Sequence, residues 1–444
     1  MSAAPLTRVL GLGFSIALAF GNTIGVGILR LPGEVAAALG DVKLIVLAWV
    51  AGGVYALLGA ISIGELAAML PAAGGFYVYS RRAFGAGCGF LVGWSDWLAN
   101  NAAVAYAALA AAEFLVQLFP GLAGHNQAMA LLIVAAFTAV HWLGIRIGSS
   151  VQNAISVFAG LLLIALAAAC FLVTPQAAVA TTGAAIGASS IGSVGLLAAV
   201  VIALRSVIVT YDGWYGSIYL AGETVDAPRN LPRAMIGCAL LVTTLYVLIN
   251  LGLLHALSLP ALATSKLPAA DAARYIFPHG GGTFVTVASI FIMFSLINAV
   301  LLGAPRILYA IGRDGLIPDR AARVSASGTP RAALGITASV VALLILSGTV
   351  EQMVAIAALF YVLNYISGYA ALVTLRVREP ELLRPYRAWG FPWTTGLVLI
   401  GSIVFLVLAA MDDHRSALFA AALLLVAVPV YALGRHRQKQ QSTA

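Results

Sequence analysis

Charge is what this sequence has least of. Only 9% of its 444 residues are Asp, Glu, Lys or Arg, against 62% hydrophobic, and its mean hydropathy is +1.01. A soluble domain carries about 25% charged residues, so this chain cannot cover its apolar content with a charged surface. Its main solvent is lipid. Soluble enzymes, secreted scaffolds and disordered proteins are thereby excluded. Cysteine is as scarce. Cys88, Cys170 and Cys238 lie in or beside apolar runs without metal-ligand spacing, which excludes a disulfide framework and leaves packing. The histidines (His125, His141, His255, His279, His414 and His436) are scattered, with no metal spacing and no catalytic grouping. No enzyme, cofactor or metal site is expected. A channel is disfavoured too, because neither a pore-lining loop nor a charged ring is visible.

What the chain has instead is apolar length. A spanning helix needs about 20 apolar residues, and windows of that size predict an all-α polytopic membrane protein. The expected spans are 10–31, 44–68, 87–118, 127–144, 152–173, 195–221, 234–257, 283–309, 332–349, 352–375, 393–411 and 416–433, twelve in all. An even number puts both termini on one side. With the N-terminus in the cytoplasm, eighteen Lys and Arg fall inside, from Arg8, Arg81 and Arg82 to Arg435, Arg437 and Lys439. Lys43, Lys266, Arg274 and Arg415 fall outside, with Arg30 near that face. This bias is the positive-inside rule, and it accounts for the formal charge of +8 without nucleic acid. A multi-pass protein of the cytoplasmic membrane is expected, both termini cytoplasmic, with one transmembrane domain over 1–434 and a basic tail at 435–444. The first span is too long for a signal peptide and has no small-residue cleavage site.

Two expected spans are interrupted. The first contains Gly21-Asn22-Thr23-Ile24-Gly25-Val26-Gly27-Ile28, and the sixth contains Tyr211-Asp212-Gly213-Trp214-Tyr215-Gly216. Glycine lets a helix unwind, but unwinding in lipid leaves N–H and C=O groups that something must satisfy. Each break opens a set of five spans, about 9–173 and 195–376, with 393–433 as a peripheral pair. Matching interruptions in two halves point to an inverted-repeat secondary transporter with a site at the membrane midplane. Glycine-rich helices also arise for close packing alone; the paired location favours a site.

At this point the sequence resembles the amino acid–polyamine–organocation (APC) transporters. The carrying motifs are Ile24-Gly25-Val26-Gly27-Ile28; Gly64-Glu65-Leu66 with Pro71-Ala72-Ala73-Gly74-Gly75-Phe76-Tyr77-Val78-Tyr79; and Tyr211-Asp212-Gly213-Trp214. Gly222-Glu223, Pro228-Arg229-Asn230-Leu231-Pro232-Arg233-Ala234, Arg313-Asp314-Gly315-Leu316-Ile317-Pro318, Thr329-Pro330 and Arg384-Pro385-Tyr386-Arg387 continue the match, which is similar to the light-chain (L-type) amino acid transporters. The resemblance implies a LeuT-like fold of 5+5 inverted helices plus two peripheral ones, with alternating access. It also implies amino acids or their decarboxylated amines as substrates. A bacterial arginine/agmatine antiporter belongs to the same group, but its large gating aromatics align with Val209 and Val300 here, against an arginine preference. Light-chain relatives often carry a Lys in the fifth span; the aligned position is Ala159 or Gly160, so sodium coupling, proton coupling and exchange all stay open. The loop Phe119–His125 lacks the cysteine that links such relatives to a single-span glycoprotein. No disulfide-linked heavy subunit is expected; the protein is a monomer or homodimer.

The first break offers the backbone N–H groups of Gly25, Val26 and Gly27 at a helix N-terminus, suited to a substrate carboxylate. Carbonyls near Asn22, Thr23 and Ile24, with those of Val209 and Asp212, can accept from its ammonium. An intramembrane carboxylate is a functional candidate by default; Asp212 can pair with a cation, meet the ammonium or carry a proton, and it can equally be satisfied by the unwound backbone. Gly213 permits close approach. Trp214 and Tyr215 can close over a substrate, as aromatic lids do in the family, or simply pack. Asn100, Asn101 and Asn298 can read a polar group or join helices. Glu65, Glu223, Arg229 and Arg233 are candidates for a charge-paired cytoplasmic gate. Arg205 either faces the external vestibule or snorkels outward. The leading expectation is therefore a permease or exchanger for L-amino acids. A polyamine or cationic amino acid antiporter, and an amino acid sensor without net transport, are the alternatives. A proton or a counter-substrate is the expected second partner, beside membrane lipid.

Overall fold

The computed structural model describes residues 6–175, 193–347 and 350–442. The order of helices is α1 (Leu12–Thr23), α2 (Gly27–Leu39), α3 (Val42–Met69), α4 (Phe76–Phe84), α5 (Ala86–Leu118), α6 (Asn126–Leu143), α7 (Ile145–Phe171) and α8 (Ser193–Thr210). There follow α9 (Ala227–Ala256), α10 (Leu259–Thr264), α11 (Pro268–Ile276), α12 (Gly281–Arg313), α13 (Arg331–Ser347), α14 (Val350–Arg378), α15 (Trp393–Asp412) and α16 (His414–Ser442). Among the described residues, nine helices are long and apolar enough to cross a membrane. A tenth crossing comes from α1 and α2 together, bent by 48° at their junction. The protein is an all-helical, multi-pass membrane protein with a broken first span.

The differences from the expected spans have local causes. The first expected span runs on to Leu39, where Gly40 takes a left-handed φ of 62° and stops α2. Asp41 then caps α3, its side chain accepting from the Leu44 N–H at 2.9 Å. The fifth span starts at Ile145, not 152, and α16 continues through Ser442. The sixth and ninth expected spans fall short. α8 stops at Thr210, where the break begins, and α13 has 17 residues; positions 348 and 349 of the ninth lie outside the described residues. The short helices α4, α10 and α11 escape a 20-residue apolar window altogether.

Packing sets the layout. α5 and α12 are the most buried of the long helices, packed on each other, with α14 and α4 also against α5. α3 lies along α9, α1 against α9, α7 and α12, and α2 against α8. α15 and α16 keep the smallest buried share of the spans and turn Leu397, Ile400, Leu418 and Leu425 outward, as lipid-facing helices do.

Candidate functional site

The two breaks meet. α1 ends at Thr23 and α2 begins at Gly27, so Ile24–Val26 bridge the bend. On the other side α8 ends at Thr210, residues 211–215 form turns, and Gly216–Glu223 continue as a 3-10 helix. Asn22 Nδ2 donates to the Gly213 carbonyl at 3.0 Å. Gly213 has φ +108°, and a Cβ there would lie 2.3 Å from the Asn22 carbonyl oxygen. Both the conformation and the approach require glycine. The opening N–H groups of α2 have no partner within their own helix.

A cavity of about 560 Å³ begins at this junction. Asn22, Thr23, Gly25, Val26 and Gly27 line it from the first break, and Val209, Thr210 and Asp212 from the second. Tyr106 of α5 and Tyr361 and Tyr365 of α14 add hydroxyl-bearing rings, with Ala103 and Leu296 as apolar wall. Its mouth carries Arg30, Glu34, Arg205, Asp413 and Ser416. Asp212 is half-buried; it accepts from the Tyr215 hydroxyl at 3.5 Å and from the Tyr365 hydroxyl on its other oxygen. One expected carbonyl is already engaged, since Thr23 accepts from the Tyr246 hydroxyl at 3.3 Å.

The other expected site residues lie elsewhere. Ile24 is fully buried and does not line the cavity. Trp214 is buried and stacks on Tyr365 at 5.8 Å between centroids, with its edge against Gly59. Tyr215 packs on Phe76 and Tyr365 below the cavity. Asn100 turns to Asp96. Asn101 is buried, with neither amide atom hydrogen-bonded. Asn298 donates to Gln152 Oε1 of α7 at 2.8 Å, and Val300 is buried in α12; neither lines the cavity. Toward α1, the polar side chains of α7 are Gln152 and Ser156, which join Ser295 of α12 and the Ala17 carbonyl. Ala159 is buried nearby, and a Cβ on Gly160 would meet the Phe20 ring.

The end of the bundle opposite the mouth is held by ion pairs whose partners differ from the expected ones. Glu223 is fully buried against Arg306, which donates from Nε at 3.1 Å and from Nη2 at 3.0 Å. Glu65, also buried, receives Arg376 Nε at 2.9 Å and the Ala388 N–H at 2.6 Å, with Arg384 Nε 3.2 Å away. Arg229 only approaches exposed Asp226, at 3.8 Å, and Arg233 is exposed. The physical reason is position: both arginines sit in the first turns of α9 on the surface, while Arg306 reaches Glu223 from inside. Nearby, Asp314 takes Arg81 at 2.8 Å and the Tyr77 hydroxyl at 2.7 Å. Burial and that hydrogen bond together hold the Tyr77 phenol well above its ordinary pKa.

Tyr106, Tyr361 and Tyr365 of the wall, Arg306 and Asp96 are the residues that reading the sequence alone does not single out. Asp96 and Arg306 do carry a signal there, as charged residues inside expected apolar spans; the three tyrosines carry none.

The family model described as amino acid permease matches residues 10–431. The chain is 27% identical over 436 residues to the serine/threonine exchanger SteT of Bacillus subtilis, covering 96% of each chain. It is 27% identical over 416 residues to the b(0,+)-type amino acid transporter 1 of Mus musculus, covering 91% of this chain and 82% of that one. It is also 27% identical to the human Asc-type amino acid transporter 1, covering 97% of this chain and 82% of that one. With a broken first span, a cavity at the break and nearly its whole length matched, the chain is an amino acid transporter, not an enzyme, and it belongs to the amino acid permease (APC) family.

Proposed function

We propose that the protein exchanges small neutral L-amino acids of serine and threonine size across the cytoplasmic membrane by alternating access. The observation that carries this is the cavity built where the two broken segments touch, with the N-terminus of α2 on its wall. The substrate carboxylate meets the amides of Gly25, Val26 and Gly27, where the helix dipole favours an anion. The ammonium meets Asp212 and the carbonyls of the breaks. Val209, Ala103 and Leu296 leave a small side chain in apolar contact, and Thr210 with the tyrosine hydroxyls can serve a hydroxyl group. The full-length similarity to a serine/threonine exchanger supports both the size and the exchange mode.

The architecture proposed with it has twelve spans, counting α8 with its 3-10 continuation and α13 as crossings. Two inverted sets of five occupy about 9–173 and 195–376, with α15 and α16 peripheral and the whole transmembrane domain over 1–434. The basic residues orient both termini to the cytoplasm. The mouth at Arg30 and Asp413 then faces outward, and the ion pairs of Glu65 and Glu223 close the inner side. No heavy subunit is required.

A competition assay tests the site. Purified protein binding labelled serine should lose it to unlabelled threonine but not to ethanolamine, which has the ammonium and hydroxyl without the carboxylate. Equal displacement by ethanolamine would favour an amine carrier and remove the role of the α2 amides.

A further inference from the structure

A carboxylate with no cation lies apart from the cavity. Asp96, in α5, is fully buried and does not line the cavity wall. Its Oδ1 accepts from the Tyr219 hydroxyl at 2.7 Å, Asn100 Nδ2 at 3.2 Å and Asn364 Nδ2 at 3.3 Å. Ser95 Oγ donates to Asn364 Oδ1 at 2.9 Å, which turns that amide's NH₂ group toward Asp96. Oδ2 is buried and has no partner at all. The titratable groups that act on Asp96 are Tyr219 of the 3-10 segment, Tyr361 of α14 and Asp212 of the break. Among the described residues, no Lys, Arg or His forms an ion pair with Asp96, whose Oδ2 is unpartnered, and the buried cation of α12, Arg306, is committed to Glu223.

A bare carboxylate enclosed this way is costly. A proton on Oδ2 removes the charge and leaves all three bonds to Oδ1 in place. The lopsided pattern, every donor on one oxygen and none on the other, is that of a carboxyl group with a place for a proton. Tyr219 gives the site a mechanical connection. It belongs to the 3-10 segment that also carries Glu223, and Gly75 and Gly303 hem its ring, where an added Cβ would come within 2.7 and 3.0 Å.

We propose that Asp96 is a proton-binding site, separate from the amino acid site, whose protonation loosens Tyr219 and lets the inner half of the broken segment move. The charged form grips the Tyr219 hydroxyl with a charge-assisted bond, about twice as strong as a neutral one; the protonated form holds it less. The proton comes from water in the cavity, passes by Tyr361, which lines that cavity, and settles on Oδ2. It leaves from the same oxygen when the segment recloses. The consequence for flux rests on the exchange reading above; the proton site itself does not.

The test uses the full chain in liposomes, with serine exchange and carboxylic C=O infrared absorption both followed against pH. In the wild type, exchange should fall on the alkaline limb by up to about tenfold per pH unit, as a required minority form does. A buried-acid infrared band should disappear over the same range. Asp96→Asn should remove the band and keep exchange at the fast, acid rate at every pH. Tyr219→Phe should keep the band but lose the pH dependence of exchange, which a merely structural role would not separate. If Asp96→Asn does not fold, Asp96→Glu should shift the band. The proposal is overturned if no band responds to Asp96 substitution, or if Asp96→Asn keeps the wild-type pH profile. A band that titrates in a protein that moves no amino acid would sustain the proton site and sink the exchange reading.

Discussion

At the scale of single residues, glycines at the breaks do two different things. Gly213 is structural: its φ of +108° and the Asn22 carbonyl 2.3 Å from an added Cβ leave no room for alanine. Gly213→Ala should cost about 1–3 kcal/mol in backbone strain, with further loss from the clash, and is expected to lower the melting temperature in detergent. Gly25 is open by contrast, the nearest atom to an added Cβ being the Tyr106 hydroxyl at 3.8 Å. Gly25→Ala should melt like the wild type yet bind serine more weakly, because the methyl occupies the wall beside the α2 amides. An unchanged serine Kd would show that the carboxylate docks elsewhere. Asp212→Asn should cost about 1.5–3 kcal/mol, the worth of a hydrogen bond to a charged group. Calorimetry should then show a Kd rise of roughly ten- to hundredfold. Much of this was legible in the sequence, since Gly25, Val26, Gly27 and Asp212 stand out where apolar spans are interrupted. The tyrosine wall was not, because Tyr106, Tyr361 and Tyr365 look like ordinary aromatic residues until α5 and α14 are packed beside the breaks. Asn298 shows the converse: an amide in an apolar span reads equally well as a site residue or a helix tie, and only packing puts it on Gln152.

At the scale of elements, the fold is written in apolar length and its punctuation. Most long helices contain their apolar window and overrun it at one or both ends: α5 spans 86–118 against an expected 87–118, whereas α7 starts seven residues before the expected 152. Short elements such as α4 and α11 carry too few apolar residues to register. Ion-pair partners are illegible for a simpler reason: Glu223 and Arg306 are 83 positions apart, Glu65 and Arg376 311 apart, and nothing local selects them over the closer Arg229 and Arg233. The Glu223–Arg306 pair gives the element-scale prediction. Removing one member of a buried pair strands the other, at about 3–5 kcal/mol, while replacing both is often neutral. Glu223→Gln and Arg306→Met should each lower thermal stability sharply, and the double variant should recover most of it. Additive losses in that cycle would mean the two groups act independently.

At the scale of the whole molecule, asymmetry carries the meaning. The cavity opens at one end, by Arg30, Glu34 and Asp413, while the other end is sealed by Phe76, Tyr215 and Tyr219 above the pairs of Glu65 and Glu223. A site reached from one side and closed on the other suits one state of the alternating-access cycle proposed above, and on that proposal the breaks are where the second state forms. In the orientation proposed above, the end with the ion pairs, where Lys and Arg gather, is the cytoplasmic one. The most direct test is counterflow of labelled serine into liposomes, some preloaded with unlabelled serine and some empty. Accumulation in the preloaded vesicles alone is the expected result. Equal uptake into empty vesicles would contradict exchange, and no uptake into either, by protein shown to bind serine, would contradict transport itself.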